Sequence, residues 1–266
     1  MKHLSIIFIL TISFFKSFGQ GARDIELVDI LNKYESIEKT NQYDSIEKAK
    51  DSLWKIFTNK LETTIQDKNI DLSKFGNLKK KCDSTVFRFD IYYSEDRKLT
   101  LYHFANGFIH LNYLTQQTHN NSPKIILKDN RLHQYFTEVH NLNNDEFLLI
   151  ERQDDMSFSC YYASVYKLNN KNRDPIKKEA FENERKLTVC SWTNVDDSNP
   201  IIKSDSGTIK SRLKSYEPNK LVFDFKMKSL SYSYNRVKDG KLKKRKSKYR
   251  NGKFKIQNYD VREFIE

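Results

Sequence analysis

Glycine and proline are scarce in this chain, seven and four in 266 residues. A fibrous repeat or a disordered low-complexity chain needs far more of both, so the sequence reads as one that folds. Long apolar runs are scarcer still. The one continuous run, Leu4 to Phe15, falls short of the roughly 20 residues that a membrane-spanning helix needs, so no transmembrane segment is expected. The common catalytic signatures are missing too: no Gly-x-Ser-x-Gly elbow, no Gly-rich phosphate loop, no His-Glu-x-x-His and no Cys-x-x-Cys. No catalytic residue, metal site or cofactor is therefore assigned.

What is present begins with an export signal. Met1, Lys2 and His3 make a basic start, LSIIFILTISFF follows, and Ser17 and Gly19 place small residues just before Gln20. Residues 1–19 are expected to be a secretory signal peptide and the mature protein to be exported, periplasmic or extracellular. No cysteine follows the small residues, the first being Cys82, so an acylated anchor is not expected. Three cysteines then enter an oxidising compartment, and an odd count leaves at least one unpaired within the chain. Cys160 and Cys190 lie in strand-like runs and can face each other across a sheet; buried free thiols are the alternative.

Hydrophobic content is 38% with 13% aromatic, a bias towards Phe and Tyr that favours strands. Residues 20–80 read as a helical segment. In YDSIEKAKDSLWKIFTNKLETTI, Ile46, Ala49, Leu53, Trp54, Phe57, Leu61 and Ile65 recur at steps of three and four, and an earlier helix around Ile25 to Ile37 is expected to pair with it. Trp54 and Phe57 are both expected to be buried. From residue 81 to 266 an antiparallel β domain is expected. Strand-type runs begin with Val86–Tyr93, Leu99–Phe104, Phe108–Leu114, Lys124–Leu127, His133–Val139 and Phe147–Glu151. They continue with Ser157–Leu168, Leu187–Trp192, Leu221–Phe225, Leu230–Val237, Leu242–Tyr249 and Phe254–Gln257. Polar turns and no helices separate them. The fold class is mainly β, an antiparallel meander with an N-terminal α-helical element; a propeller-like arrangement is favoured over a sandwich.

This order of segments carries a resemblance. IYYSEDRKLTLYHF, NLNNDEFLLIERQDDMSFSCYYASVYKLN, KLVFDFKMKSLSYSYN and NGKFKIQN resemble segments of a family of exported proteins of unknown function from Gram-negative bacteria, over roughly Tyr43 to Asn258. Where that family often has a Trp and a Gly pair, this chain has His103 and Phe104. The resemblance implies export and a β-rich architecture and assigns no catalytic residue.

The polar residues offer few constellations. His103 and His110, like His133 and His140, are seven apart, an odd offset that places side chains on opposite faces of a single strand; ordinary strand and turn histidines are expected. Asn141, Asn143 and Asp145 begin like a calcium loop but lack its Gly and its closing Glu, so a turn is expected. Glu151, Asp154, Asp155, Asp196 and Asp197 are the acids from which a glycosidase pair would be drawn. Tyr161, Tyr162, Tyr166, Tyr232 and Tyr234 can stack on sugars or pack in the core.

One stretch concentrates the charge. The chain carries a formal +12, and Lys238 to Arg250 holds eight Lys or Arg against one Asp. Asp239-Gly240 and Asn251-Gly252 are preferred two-residue hairpin turns, so a basic three-stranded meander from Leu230 to Gln257 is expected to close the domain. Counting from those turns pairs Val237 with Leu242, Tyr234 with Arg245, Leu230 with Tyr249 and Lys248 with Lys255. Leu230, Tyr232, Tyr234, Tyr249, Phe254 and Ile256 then share a buried face. The candidate binding residues are Tyr234, Lys243, Lys244, Arg245, Lys246, Lys248, Arg250, Lys253 and Lys255. The expected function is an exported, non-catalytic binding or structural module contacting an anionic glycan or envelope polyanion, nucleic acid being disfavoured by export. A secreted polysaccharide hydrolase and a protein-interaction scaffold are the alternatives.

Overall fold

The computed structural model describes residues 26–37, 43–67, 72–117, 122–154, 158–168, 174–182, 184–192, 221–235 and 242–260. The expected signal peptide, Asp155, Asp196, Asp197 and the Asp239-Gly240 turn lie outside the described residues. The chain divides into two compact units, Met1–Ser84 and Thr85–Glu266.

The first unit holds α1 (Leu27–Ser36), α2 (Tyr43–Ile65) and α3 (Leu72–Asp83). Steps of four bring Leu53, Phe57, Leu61 and Ile65 of α2 onto one buried stripe. Ile30 and Leu31 of α1 and Phe75, Leu78 and Cys82 of α3 are buried as well. Phe57 is 1% exposed. Trp54, expected to be buried, is only half-buried, its ring centroid 5.8 Å from Phe57 and 6.3 Å from Tyr34. Cys82 is a buried cysteine on α3, outside the disulfide described below. Its segment is basic outside but places Phe75, Leu78 and Cys82 at helical spacing.

The second unit is built of strands. A four-stranded sheet runs β1 (Phe87–Tyr93), β2 (Leu99–Asn106), β3 (Ile109–Gln117) and β4 (Pro123–Leu132) in chain order. A six-stranded sheet contains β5 (Gln134–Asn141), β6 (Glu146–Asp154), β7 (Phe158–Lys167), β8 (Ile176–Lys177), β9 (Leu187–Trp192) and β13 (Tyr259–Asp260), in the order β13-β9-β7-β6-β5 with β8 on β7. The third sheet is β10 (Val222–Asp224), β11 (Ser229–Asn235) and β12 (Leu242–Lys248). All pairings between these described strands are antiparallel except β13 with β9.

The six-stranded sheet is the middle layer. Leu148 and Ile150 of β6, with Ala163 and Val165 of β7, pack against Phe223, Leu230 and Tyr232 of the third sheet and against Phe181 and Phe254. Phe147 and Leu149, alternating with them, pack against Leu99, Leu101, Leu114 and Ile126 of the four-stranded sheet. Burial of both faces explains why β6 carries, after Glu146, the unbroken apolar run FLLI instead of alternating with polar residues. Among the described residues there is no propeller and no closed barrel, so the favoured propeller-like arrangement is corrected to stacked sheets. The reason lies in long-range pairing. A propeller blade closes among neighbouring strands, whereas β9 takes a parallel partner, β13, from some 70 residues further along the chain. Cys160 and Cys190 face each other across β7 and β9, their Cα atoms 4.1 Å apart, and form a disulfide.

Candidate functional site

The basic stretch forms the edge strand β12. Its partner β11 alternates strictly: Leu230 and Tyr232 are buried and Tyr234 half-buried on one face, with serines 229, 231 and 233 between them. The register pairs Asn235 with Leu242, Tyr234 with Lys243, Tyr232 with Arg245 and Leu230 with Ser247. This is two residues away from the register that an Asp239-Gly240 turn would set. An even shift leaves every side chain on its face. The observed register lets Tyr232 donate to the Gln257 carbonyl at 2.7 Å while Arg245 Nη1 donates to Gln257 Oε1 at 2.8 Å. Burial works against the Arg245 charge, but its contacts with Tyr234 and Tyr232 outweigh that and its pKa is raised. Its guanidinium lies over the Tyr234 ring, 5.4 Å from the centroid.

The second turn forms as expected. Arg250 and Lys253 exchange two hydrogen bonds of 3.0 Å around Asn251 (φ 51°) and Gly252 (φ 78°), the positive-φ pair of a type I′ turn. The third strand of the expected meander does not follow. The Phe254 N–H donates to the Ala180 carbonyl at 2.7 Å, and the Phe254 ring stacks on Phe181. The Lys255 N–H donates to Ser247 Oγ at 2.8 Å, so the expected Lys248–Lys255 pair does not form. Burial of Phe254 and Ile256 in the core draws the chain away from β12. The sheet is completed instead by β10, on the other side of β11.

The outward face of β12 carries Lys244, Lys246 and Lys248, all exposed and set across from Ser233, Ser231 and Ser229. Alternate residues of a strand repeat every ~6.8 Å, so the ammonium groups form a row. Lys243, Arg250, Lys253 and Lys255 are exposed around it. Among the described residues none of these seven side chains has a carboxylate within ion-pair distance.

The structure also assembles polar groups that spacing did not bring together. His103 is on β2 and His110 on β3; the hairpin sets Ala105 opposite His110 and Asn112 opposite His103, so the two rings are diagonal neighbours on one face. The opposite-face expectation applies to one strand and fails across a hairpin. His103 Nε2 and His110 Nδ1 are 2.9 Å apart, and both rings stack on Tyr135 with centroids at 4.9 Å. Asp90 Oδ2 lies 3.8 Å from His103 Nδ1. Burial lowers both imidazoles, His110 to about 4. His140 is held instead between Glu95 (2.5 Å) and Glu138 (2.8 Å); these contacts overcome its burial and raise it. Among the described residues no group of three His, Cys, Asp or Glu can hold a metal ion.

The remaining candidates are placed as follows. Asn143 Oδ1 accepts from the N–H groups of Asp145 and Glu146, closing a turn. Asp154 is engaged by Tyr135, Arg152 and Ser159. Tyr161, Tyr162, Tyr166 and Tyr232 are buried, which removes the row of exposed rings that sugar stacking requires. No protein-family model, no curated protein and no solved structure matches the chain.

Proposed function

We propose that the protein is an exported, non-catalytic binding module whose β12 face holds an anionic glycan or envelope polyanion. The observation that carries this reading is the row of Lys244, Lys246 and Lys248 on a strand with five cationic side chains in seven residues, none paired with a carboxylate among the described residues; Arg245 instead contacts the Tyr234 ring and the Gln257 amide. Strands and an anchored Arg245 hold the row in place, so little conformational freedom is lost when a charged chain lies along it. The Cys160–Cys190 disulfide supports work in an oxidising compartment. The hydrolase alternative has less support, because Asp154 is already satisfied by three partners.

Lysines on an edge strand also block strand addition by other chains. That role needs charge but no ligand, and retention on a heparin-type column separates the two. The wild type is expected to bind with retention that falls steeply as salt rises, and the combined variant K244Q/K246Q/K248Q to elute much earlier. Equal retention of the two proteins would overturn the reading.

A further inference from the structure

We propose that the place where β4 meets the middle sheet is a second binding site, for an oxyanion that also carries a hydroxyl, the chemistry shared by hydrogen phosphate and a sugar acid such as a uronate. Glu151 of β6 is 1% exposed. Its Oε2 accepts from Arg131 Nη1 at 2.9 Å and Gln134 Nε2 at 2.5 Å. Its Oε1 is buried with no hydrogen-bond partner, an unfavourable state for a carboxylate oxygen that a donor on a ligand would relieve. Ser164 of β7 lies on the same face, since Leu149 pairs with Ser164 and Glu151 with Tyr162. It is fully buried and its Oγ is likewise unpartnered.

The cations around this carboxylate are in excess. Arg131 is satisfied by Glu151 and by Asp129, the latter at 2.7 Å. Lys177 of β8 and Lys186, just before β9, are half-buried and act electrostatically on Glu151. Neither has a carboxylate in ion-pair range among the described residues. Instead Lys177 Nζ lies 5.9 Å from the centre of the Tyr166 ring and Lys186 Nζ 4.0 Å from that of Tyr162. Burial, the largest influence, lifts the Glu151 carboxyl against the pull of Arg131, Lys177 and Lys186. Burial also lowers Lys177; Lys186, Arg131 and Arg185 push the same way, against Glu151. Opposed perturbations of neighbouring acid and base are characteristic of functional sites.

The arrangement specifies a ligand. Two ammonium groups without carboxylate partners attract an anion. Glu151 Oε1, unpartnered beside those ammonium groups, is placed to accept a hydrogen bond from an oxyanion that bears O–H. Hydrogen phosphate and a uronate meet both demands, whereas sulfate, which has no proton near neutral pH, meets only the first. The site lies on the face of the middle sheet turned towards the four-stranded sheet, opposite the face that the β10–β12 sheet covers, and does not rest on the β12 reading.

The test is calorimetric titration of the full protein at neutral pH with sodium phosphate, sodium glucuronate and sodium sulfate, ionic strength being held constant with chloride. Saturable binding of phosphate or glucuronate is expected, about tenfold or more tighter than sulfate; which of the two binds tighter distinguishes free phosphate from a sugar acid as the source. K177Q/K186Q is expected to weaken it about tenfold or more, and K186Q alone, at a half-buried position, to weaken it in part. K244Q/K246Q/K248Q is expected to bind phosphate or glucuronate as the wild type does, even if it loses the heparin column. Absence of saturable binding, equal affinity for sulfate, or full binding by K177Q/K186Q and K186Q would each overturn the proposal.

Discussion

His103 and His110 sit on neighbouring strands with their rings on Tyr135, and burial lowers both imidazoles, His110 to about 4. An unfolded histidine takes up its proton near 6.5. Between that pH and about 4 the unfolded chain therefore binds protons that the folded His110 refuses, and stability falls as pH drops through this window. His140 acts in the opposite sense. Its raised value means that the folded state keeps a proton the unfolded state has lost, so its contribution is present below about 6.5 and disappears as pH rises through the folded value. Denaturant midpoints measured across pH are expected to show a shallower slope between about pH 6.5 and 4 in His110→Gln. In His140→Gln the loss of stability should be larger at acid than at alkaline pH. The slope for one histidine is limited to about 1.4 kcal/mol per pH unit. An unchanged acid slope in His110→Gln would show that its protonation is not coupled to folding.

At the scale of the element, periodicity made the strands and the long helix legible, while their partners were not. Leu53, Phe57, Leu61 and Ile65 could be read directly as a buried stripe. Trp54 lies on the flank of that stripe, where a helical angle of some 100° separates it from Leu53, and is only half-covered. Phe57→Ala is accordingly expected to destabilise by about 3–5 kcal/mol and Trp54→Ala by clearly less; a Trp54 effect equal to or above that of Phe57 would contradict this packing. Similar logic separates what was readable in the basic hairpin from what was not. The alternation of Leu230, Ser231, Tyr232, Ser233 and Tyr234 gave the face, and Asn251-Gly252 gave its turn. The register of β12 depends on Gln257, and the fate of Phe254 depends on Ala180 and Phe181. Those partners are distant in sequence, and local spacing carries no information about them. Glu151 illustrates the same limit: the strand run Phe147–Glu151 was legible, but the burial of its last residue depends on Arg131 and Gln134, 20 and 17 residues away.

At the scale of the whole β unit, the middle sheet is shared by both cores, so whatever holds its strands together holds the unit together. β7 is its most connected strand, with β6, β8 and β9 as partners, and β13 reaches the sheet only through β9. The disulfide ties β7 to β9 at the Cys160–Cys190 pair and closes a loop with a sequence separation of 30. Closing a loop of that length restricts the unfolded chain by an amount equivalent to about 3–4 kcal/mol in the chain-entropy account. Both cysteines are buried, so replacement by alanine leaves no unsatisfied polar group. The combined variant C160A/C190A is expected to lower the unfolding free energy by about that amount relative to the oxidised wild type. Reductant during unfolding should remove a comparable amount from the wild type and nothing from the variant, since Cys82 lies on α3 and takes no part in the Cys160–Cys190 bond. Amide exchange should then accelerate first at β13, which has β9 as its sole partner among the described strands, and only later in β6 and β7. A wild type indifferent to reductant, with the variant matching its midpoint, would show that the bond does not contribute to the stability of the sheet.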